Sequence, residues 1–345
     1  MRYTRVHLAG LGYELPQEEV TSEALEARLA PLYESLRVAP GQLAYLTGIH
    51  SRRWWPEGQR LAPMAAKAGL QALQRAELSP GELGAVVYGS VCRDDFEPAS
   101  ACEVAHLIGA GGAVAVLDVA NACLGMLSGV LHVANMIELG QIRAGLVVGC
   151  ESAREINEAM IAEMLLERNM GHFMKAMATL TGGSAAAAIV LTDGTVGAPP
   201  GPRLAGGIQW AAPQHHDLCR WGLDRRRPAR QAMVMETDAV PIMREGVPLG
   251  RDTWQRLLQE LNWPAPDRTI SHQVGQANRA AILQAIGMPL ERDFVTYTQL
   301  GNTGSTAVPV TAAMAAEQGF TQAGMRVAWL GIGSGLNCLM LGWEG

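Results

Sequence analysis

Val114-Ala-Val-Leu-Asp-Val-Ala120 runs directly into Asn121-Ala-Cys-Leu-Gly-Met126, and the change of period at this junction decides how the chain is read. The first stretch is a short apolar run suited to a buried strand. Apolar residues at Leu124, Leu127, Val130, Leu131 and Ala134 then follow helical spacing, as expected of a helix packed on that strand. Cys123 stands at the turn, where free N–H groups and the positive end of the helix dipole favour a thiolate. Most unpaired cysteines are small buried hydrophobes, so the elbow alone does not make a nucleophile. Between Gly111 and Ile137 the only formal charge is Asp118, long enough for a membrane span, but Asn121, His132, Asn135 and several glycines interrupt it. A central strand followed by a buried helix explains the segment better.

Working outward, strand-like runs alternate with helical patterns. Strands are expected at 6–11, 85–90, 113–119, 145–149 and 185–191, with helices near 63–76, 98–109, 124–139 and 152–178. The theme repeats, with strands near 205–210, 269–274, 293–298, 326–331 and 337–342 and helices near 229–245, 250–262, 275–287 and 307–318. This order predicts an α/β protein with mainly parallel sheets covered on both faces. The Gly/Pro-rich connection Thr192-Asp-Gly-Thr-Val-Gly-Ala-Pro-Pro-Gly-Pro202 divides it into two halves, residues 1–195 and 203–345. Each half ends on glycines followed by an apolar strand, Thr181–Leu191 and Leu330–Met340, which suggests a duplicated unit with a site between the halves.

Two downstream segments bear on Cys123. Ile270-Ser-His-Gln-Val274 ends an apolar run on His272, and Gln299-Leu-Gly-Asn-Thr-Gly-Ser305 sets Asn302 in a glycine-rich turn. A lone histidine is usually structural, and Asn between glycines is ordinary turn chemistry. Taken with Cys123 they form a nucleophile, imidazole and amide set.

Composition narrows the function. Of 345 residues, 48% are hydrophobic and 17% charged, enough for a large core, and the net charge of -6 from 27 Lys+Arg against 33 Asp+Glu argues against a nucleic-acid partner. Arg225-Arg226-Arg227 reads either as a phosphate contact or as solvated surface, the surface reading being slightly favoured. Six cysteines without a CxxC pair suggest neither a disulfide framework nor a metal site, and fit a reducing, cytoplasmic setting. No apolar leader follows Met1. Met160, Met164, Met170, Met174 and Met177 recur at helical spacing, as a core or subunit-interface stripe would, or as the lining of an acyl channel.

Asn121-Ala-Cys123, Ser271-His272-Gln273, Gly301-Asn302-Thr303-Gly304 and Gly331-Ile-Gly-Ser-Gly-Leu336 together resemble the thiolase superfamily, and within it the ketoacyl synthase III branch. The order Cys, His, Asn and the separations of 149 and 30 residues are similar to that branch. The resemblance implies a five-layer α-β-α-β-α fold of two similar halves. It is strongest toward members that join two fatty acyl-CoA molecules head to head, through Ser90-Val-Cys-Arg-Asp-Asp-Phe-Glu-Pro-Ala-Ser100, Asp118–Leu124 and Leu330–Cys338. Glu97, 26 residues before Cys123, then falls on a glutamate sent into the neighbouring subunit's site, which implies a homodimer.

Decarboxylative ketoacyl synthases generate their carbanion by losing carbon dioxide and need no strong base. Removing the weakly acidic α-proton of an acyl thioester does need one, and a carboxylate made more basic by burial can serve. By itself Glu97 beside Pro98 would pass for a surface carboxylate at a helix start. The resemblance further implies Cys123 as the acylated nucleophile, His272 and Asn302 as enolate partners, and the N–H groups of Cys123 and Ser334 as an oxyanion hole. Gly304 would lie against substrate. It implies no metal and no cofactor beyond the CoA thioester substrate, and a product passed to enzymes making long-chain olefin or ketone.

The branch commonly has Arg before Thr-Gly-Ile, where this chain has Leu46, and His-Gln-Ala-Asn, where this chain has His272-Gln-Val-Gly275. Arg52 and Arg53 are therefore the candidates for the CoA phosphates. The competing readings are a decarboxylative ketoacyl synthase III, a pyrone-forming ketosynthase and a Cys-His-Asn thioesterase. Nucleotide binding through Gly331-Ile-Gly-Ser-Gly335 is disfavoured, because these glycines precede a strand rather than open a helix.

Overall fold

A computed structural model describes residues 1–227 and 232–345. Its strands are β1 (His7–Glu14), β2 (Glu18–Thr21), β3 (Ser51–Trp54), β4 (Ala85–Tyr88), β5 (Ala115–Asp118), β6 (Ala144–Glu151), β7 (Ala185–Thr192), β8 (Arg203–Ala211), β9 (Cys219–Leu223), β10 (Met233–Thr237), β11 (Arg268–Ser271), β12 (Arg326–Gly333) and β13 (Asn337–Glu344). Nine of them join in the order β11-β12-β13-β8-β1-β7-β6-β4-β5, and the two halves meet where β1 pairs antiparallel with β8 at His7 and Arg203, beside a further antiparallel bridge between Arg2 and Gly206.

Both halves use one topology. In the first, β1 pairs antiparallel with β7, β7 antiparallel with β6, and β6 parallel with β4, which is parallel to β5. In the second, β8, β13, β12 and β11 repeat the same three relations, and the fifth position holds only a parallel bridge between Thr269 and Asp293. The expected strand at 293–298 is thus reduced to one residue. Asp293 turns its carboxylate onto Ser271, and a helical turn, Tyr297–Leu300, takes over. The sheets are mixed rather than mainly parallel, because each half closes on an antiparallel strand returning beside its first.

Burial sorts the helices into layers. Gly125–Glu138 and Ala307–Glu317 lie in one core with residues from both half-sheets, among them Val87, Val147 and Ile189 of the first and Trp329, Leu339 and Leu341 of the second. Leu61–Arg75 and Ser100–Ile108 cover the outer face of the first half-sheet, and Ala239–Leu261 and Gln276–Ile286 the outer face of the second. The result is the five-layer α-β-α-β-α arrangement. The near-absence of charge in the Gly111–Ile137 segment follows, since the Gly125–Glu138 helix is packed from both sides. Among the described residues no helix is long and apolar enough to cross a membrane.

Three helical expectations change. The helix expected over 152–178 breaks into Arg154–Glu167 and Met170–Ala176, with Arg168 left-handed at φ 44° and the Asn169 side chain capping the second helix. In place of a helix over 229–245 stand β10, paired antiparallel with β9, and the start of a long helix; residues 228–231 lie outside the described residues. That helix, Ala239–Leu261, runs through Pro248 and absorbs the segment expected at 250–262.

Candidate active site

The elbow before the Gly125–Glu138 helix is built under constraint. Ala122 takes φ 45°, a left-handed conformation disfavoured for a residue with a Cβ. Asn121 holds the turn from two sides, donating to Ser128 Oγ at 2.9 Å and accepting from Asn337 Nδ2 at 3.1 Å. Gly125 lets the helix start close on the end of β4: a Cβ there would lie 2.8 Å from the carbonyl carbon of Gly89. Cys123 is therefore presented by a turn that cannot easily relax.

The turn opens on a cavity of about 1680 Å³, lined by Cys123, His272, Asn302, Gly304 and Ser334 together with Glu151 and Cys219. Its walls are mainly apolar. Met174 and Met177 belong to it, as do Met233, Met235 and Met243, whereas Met160 and Met164 are buried in the core beside it. The methionine series is thus split between core, cavity and, at Met170, the exposed surface. The β9–β10 hairpin, which the sequence reading did not find, supplies Cys219, Trp221 and Met235 to the wall. Its short alternating strands are flanked by Arg225-Arg226-Arg227, which obscured the period.

His272 is held from behind by two buried polar residues. Asp293 accepts the Ser271 N–H at 2.9 Å and the Ser271 hydroxyl at 2.9 Å, while Arg279 donates to the same carboxylate at 2.7 Å. Burial pushes the Asp293 carboxyl up, against the opposing pull of Arg279. Gln273 donates to the Ser271 carbonyl at 2.7 Å and accepts from the N–H groups of Thr296 and Tyr297. His272 N–H itself donates to the Leu330 carbonyl at 2.8 Å. Asp293 carried no recognisable motif, since its role arises only when the chain folds back beside β11.

Asn302 is fixed by its backbone and its amide. Its N–H donates to Thr181 O and its carbonyl accepts from Gly183, each at 2.9 Å, and Oδ1 accepts the Gly304 N–H at 3.0 Å. This commits the oxygen and leaves the side-chain NH2 as the donor for the cavity. Ser334 lies in the turn between β12 and β13, on the cavity wall.

Electrostatics at Cys123 run against the helix-dipole expectation. Burial, with smaller contributions from Cys219 and Glu151, pushes its thiol up to about 12. Burial lowers His272 to about 4. Desolvation penalises either charge, and here it outweighs the dipole of a helix whose first turn begins two residues later. The resting pair is a neutral thiol and a neutral imidazole.

Glu97 is exposed and does not line the cavity, although its neighbour Phe96, fully exposed, does. It does not serve a helix start either. The N–H groups of Ser100 and Ala101 are capped by Asp118, at 2.9 Å each. Arg52 and Arg53 are corrected by the structure as phosphate contacts. Arg52 is fully buried, donating to Ser22 Oγ at 3.0 Å, with burial pulling it down to about 10. Arg53 donates to the carbonyls of Pro16 and Gln17, and neither arginine lines the cavity. In β3, paired with β2, Arg52 is buried, while the next residue, Arg53, lies on the opposite face and is half-buried. Arg225 and Arg226 do stand at the cavity wall, and Arg226 and Arg227 are ion-paired there to Asp224, Glu236 and Glu163.

A duplicated five-layer fold with a cysteine elbow, histidine and asparagine converging on one cavity defines a thiolase-superfamily condensing enzyme. Residues 45–193 match the thiolase N-terminal domain and residues 259–343 the C-terminal domain of 3-oxoacyl-[acyl-carrier-protein] synthase III. The chain is 49% identical to an acyl-CoA:acyl-CoA alkyltransferase of Shewanella oneidensis, covering 99% of each, and 33% identical to one of Xanthomonas campestris over 99% of this chain and 98% of that one. It belongs to the acyl-CoA:acyl-CoA alkyltransferase family, also called OleA. A solved Xanthomonas campestris OleA with bound lauric acid and lauroyl-CoA superposes with TM-score 0.93 at 32% identity, covering 99% of this chain and all of that one. Another, with bound cerulenin, gives TM-score 0.94 at 32% identity, covering 100% of this chain and 98% of that one.

Proposed function

We propose that this protein joins two fatty acyl-CoA molecules head to head by a non-decarboxylative Claisen condensation, using Cys123, His272 and Asn302 in one subunit and Glu97 from its partner. The observation that carries this reading is that Cys123, His272 and Asn302 meet on one large, methionine-lined cavity, suited to flexible alkyl chains.

Cys123 sulfur attacks the first thioester carbonyl while neutral His272 accepts the thiol proton, and CoA leaves as its thiol. A thiol near 12 beside an imidazole near 4 holds no preformed ion pair, so proton transfer accompanies attack rather than preceding it. A second acyl-CoA then enters. Glu97 removes its α-proton, His272 and Asn302 donate to the enolate oxygen, and the carbanion attacks the Cys123 thioester; the carbon–sulfur bond to Cys123 then breaks, and the departing sulfur takes up the equivalent of the proton that Glu97 removed, restoring the thiol. Backbone N–H groups of Cys123 and Ser334 hold the oxyanion, each worth about 2.7–4 kcal/mol in comparable sites. The 2-alkyl-3-ketoacyl product leaves as a thioester or, after hydrolysis, as the β-keto acid, the kind of precursor that reduction and decarboxylation convert to olefin or ketone.

The choice of Glu97 has its own support. Solved Xanthomonas campestris OleA variants are altered at a cysteine and at a glutamate 26 positions apart, the separation of Cys123 from Glu97. In this chain Glu97 is exposed beside a fully exposed Phe96, as a residue presented to a neighbour would be. The apolar strand β5 ends the sheet with one edge open for a second copy.

Incubation with lauroyl-CoA alone, without a malonyl donor, is expected to yield the branched β-keto product. Hydrolysis to lauric acid without carbon–carbon bond formation would refute the condensing assignment and favour a thioesterase. Mixed dimers of Cys123→Ala and Glu97→Ala, each inactive alone, are expected to regain activity. Absence of complementation in verified heterodimers would show that Glu97 does not act across the dimer.

A further inference from the structure

Glu151, the last residue of β6, is 4% exposed and belongs to the cavity wall, yet the mechanism above gives it no part. Its carboxylate gathers four hydrogen bonds from two different loops. Oε1 accepts from the Val91 N–H at 3.0 Å, from the Ser305 N–H at 3.2 Å and from the Ser305 hydroxyl at 2.5 Å, and Oε2 accepts from the Cys92 N–H at 3.1 Å.

The two loops are the ones the chemistry uses. Val91 and Cys92 open the segment after β4 that carries Glu97, and Ser305 closes the turn that carries Asn302. Side chains fasten the first segment along the same strand end: Ser90 Oγ donates to the Cys150 carbonyl at 2.7 Å, and Tyr88 OH bridges the carbonyls of Cys92 and Cys150. On the other side Gly304 has φ 58°, and a Cβ there would stand 3.2 Å from the Glu151 carboxyl carbon. Only glycine lets the Asn302 turn settle so closely on this carboxylate.

We infer that Glu151 is a positioning residue that sets the Glu97-bearing loop in register with the Asn302 turn, so that the loop a subunit lends to its partner is anchored to its own enolate-binding turn. The inference rests on the roles proposed above for Glu97 and Asn302. A carboxylate is required for a specific reason. Three of the four donors are backbone N–H groups that cannot accept, so an amide in its place would turn an NH2 toward either the Cys92 N–H or the Val91 and Ser305 N–H groups, setting donor against donor.

The test separates positioning from bulk stability. Wild-type, Glu151→Gln and Ser305→Ala proteins are given lauroyl-CoA alone. Acylation of Cys123 is followed by the mass shift of the intact protein, and condensation by quantifying the branched product. Acylation needs neither Glu97 nor an enolate, so in Glu151→Gln its rate is expected to stay within about 3-fold of wild type. Condensation is expected to fall on the order of 100-fold, the loss that accompanies an ångström of misplacement at a reacting centre. Ser305→Ala, which removes one donor of the four, is expected to show the same split at smaller amplitude, and supplies the answer should Glu151→Gln fail to fold. Wild-type condensation in both variants, or equal losses in acylation and condensation, would overturn the inference. If the wild type itself forms no condensed product, it is the proposed function that fails.

Discussion

Titration of His272 gives the site a measurable signature. The imidazole is buried and its value is lowered from 6.5 to about 4. The folded state therefore binds fewer protons than the unfolded chain between these values, and stability is lost as the pH falls from about 6.5 to about 4. Each unit of difference is worth about 1.4 kcal/mol, so the full contribution is about 3 kcal/mol, of which about 2 kcal/mol is lost between pH of about 7 and about 5. Other groups titrate over the same range, so the quantity to measure is a difference. Urea unfolding of wild type and His272→Gln at both pH values and one protein concentration isolates it. Wild type is expected to lose about 2 kcal/mol more than the variant on acidification. An equal loss would mean that His272 is not held neutral by burial, and the argument for a neutral thiol–imidazole pair would fall with it.

Three further outcomes follow from the site geometry. Glu97→Ala is expected to retain the mass shift of Cys123 with acyl-CoA while losing at least about 100-fold in condensed product, since a positioned base contributes roughly that much; loss of acylation would place Glu97 elsewhere in the cycle. Asp293→Asn leaves the largely buried Arg279 without its counter-charge, and is expected to cost about 3–5 kcal/mol in urea unfolding and to slow Cys123 acylation as the support behind His272 loosens. Gly304→Ala, forced to φ 58° and crowded by Glu151, is expected to lose about 1–2 kcal/mol of stability and to show reduced condensation when assayed for branched product.

How much of the protein could be read from its residues differs from place to place. Local periodicity located β4, β6 and β7 because each is buried along its whole length, so its apolar pattern is uninterrupted, and it located half-buried β5 and the Gly125–Glu138 helix because their apolar residues carry almost no charge among them. It failed where the environment is mixed. The β9–β10 strands are half-buried or exposed throughout and mix charged with apolar residues, and the Ala239–Leu261 helix carries Gly246, Pro248 and Gly250, which read as a break. Asp293–Thr298 had the composition of a strand, but its first carboxylate is consumed by Ser271, Thr269 and Arg279, and the ladder stops there.

The residues alone pointed to the candidate set Cys123, His272 and Asn302 and to the doubled plan. Cys123, His272 and Asn302 each sit where a period ends, and motifs at such junctions survive in one dimension because turns depend on local residue type. Only the tertiary structure decided the protonation state and the supports. Whether Cys123 rests as thiol or thiolate depends on how much protein surrounds it, and burial outweighed the helix dipole that sequence position suggested. Arg52 lost its phosphate role the same way, through strand pairing that turned it inward. Glu151 and Asp293 became visible only when loops more than a hundred residues apart, and a strand end with the segment that folds back beside it, met on one carboxylate each. A carboxylate's partners are set by distance in space, which spacing along the chain does not encode.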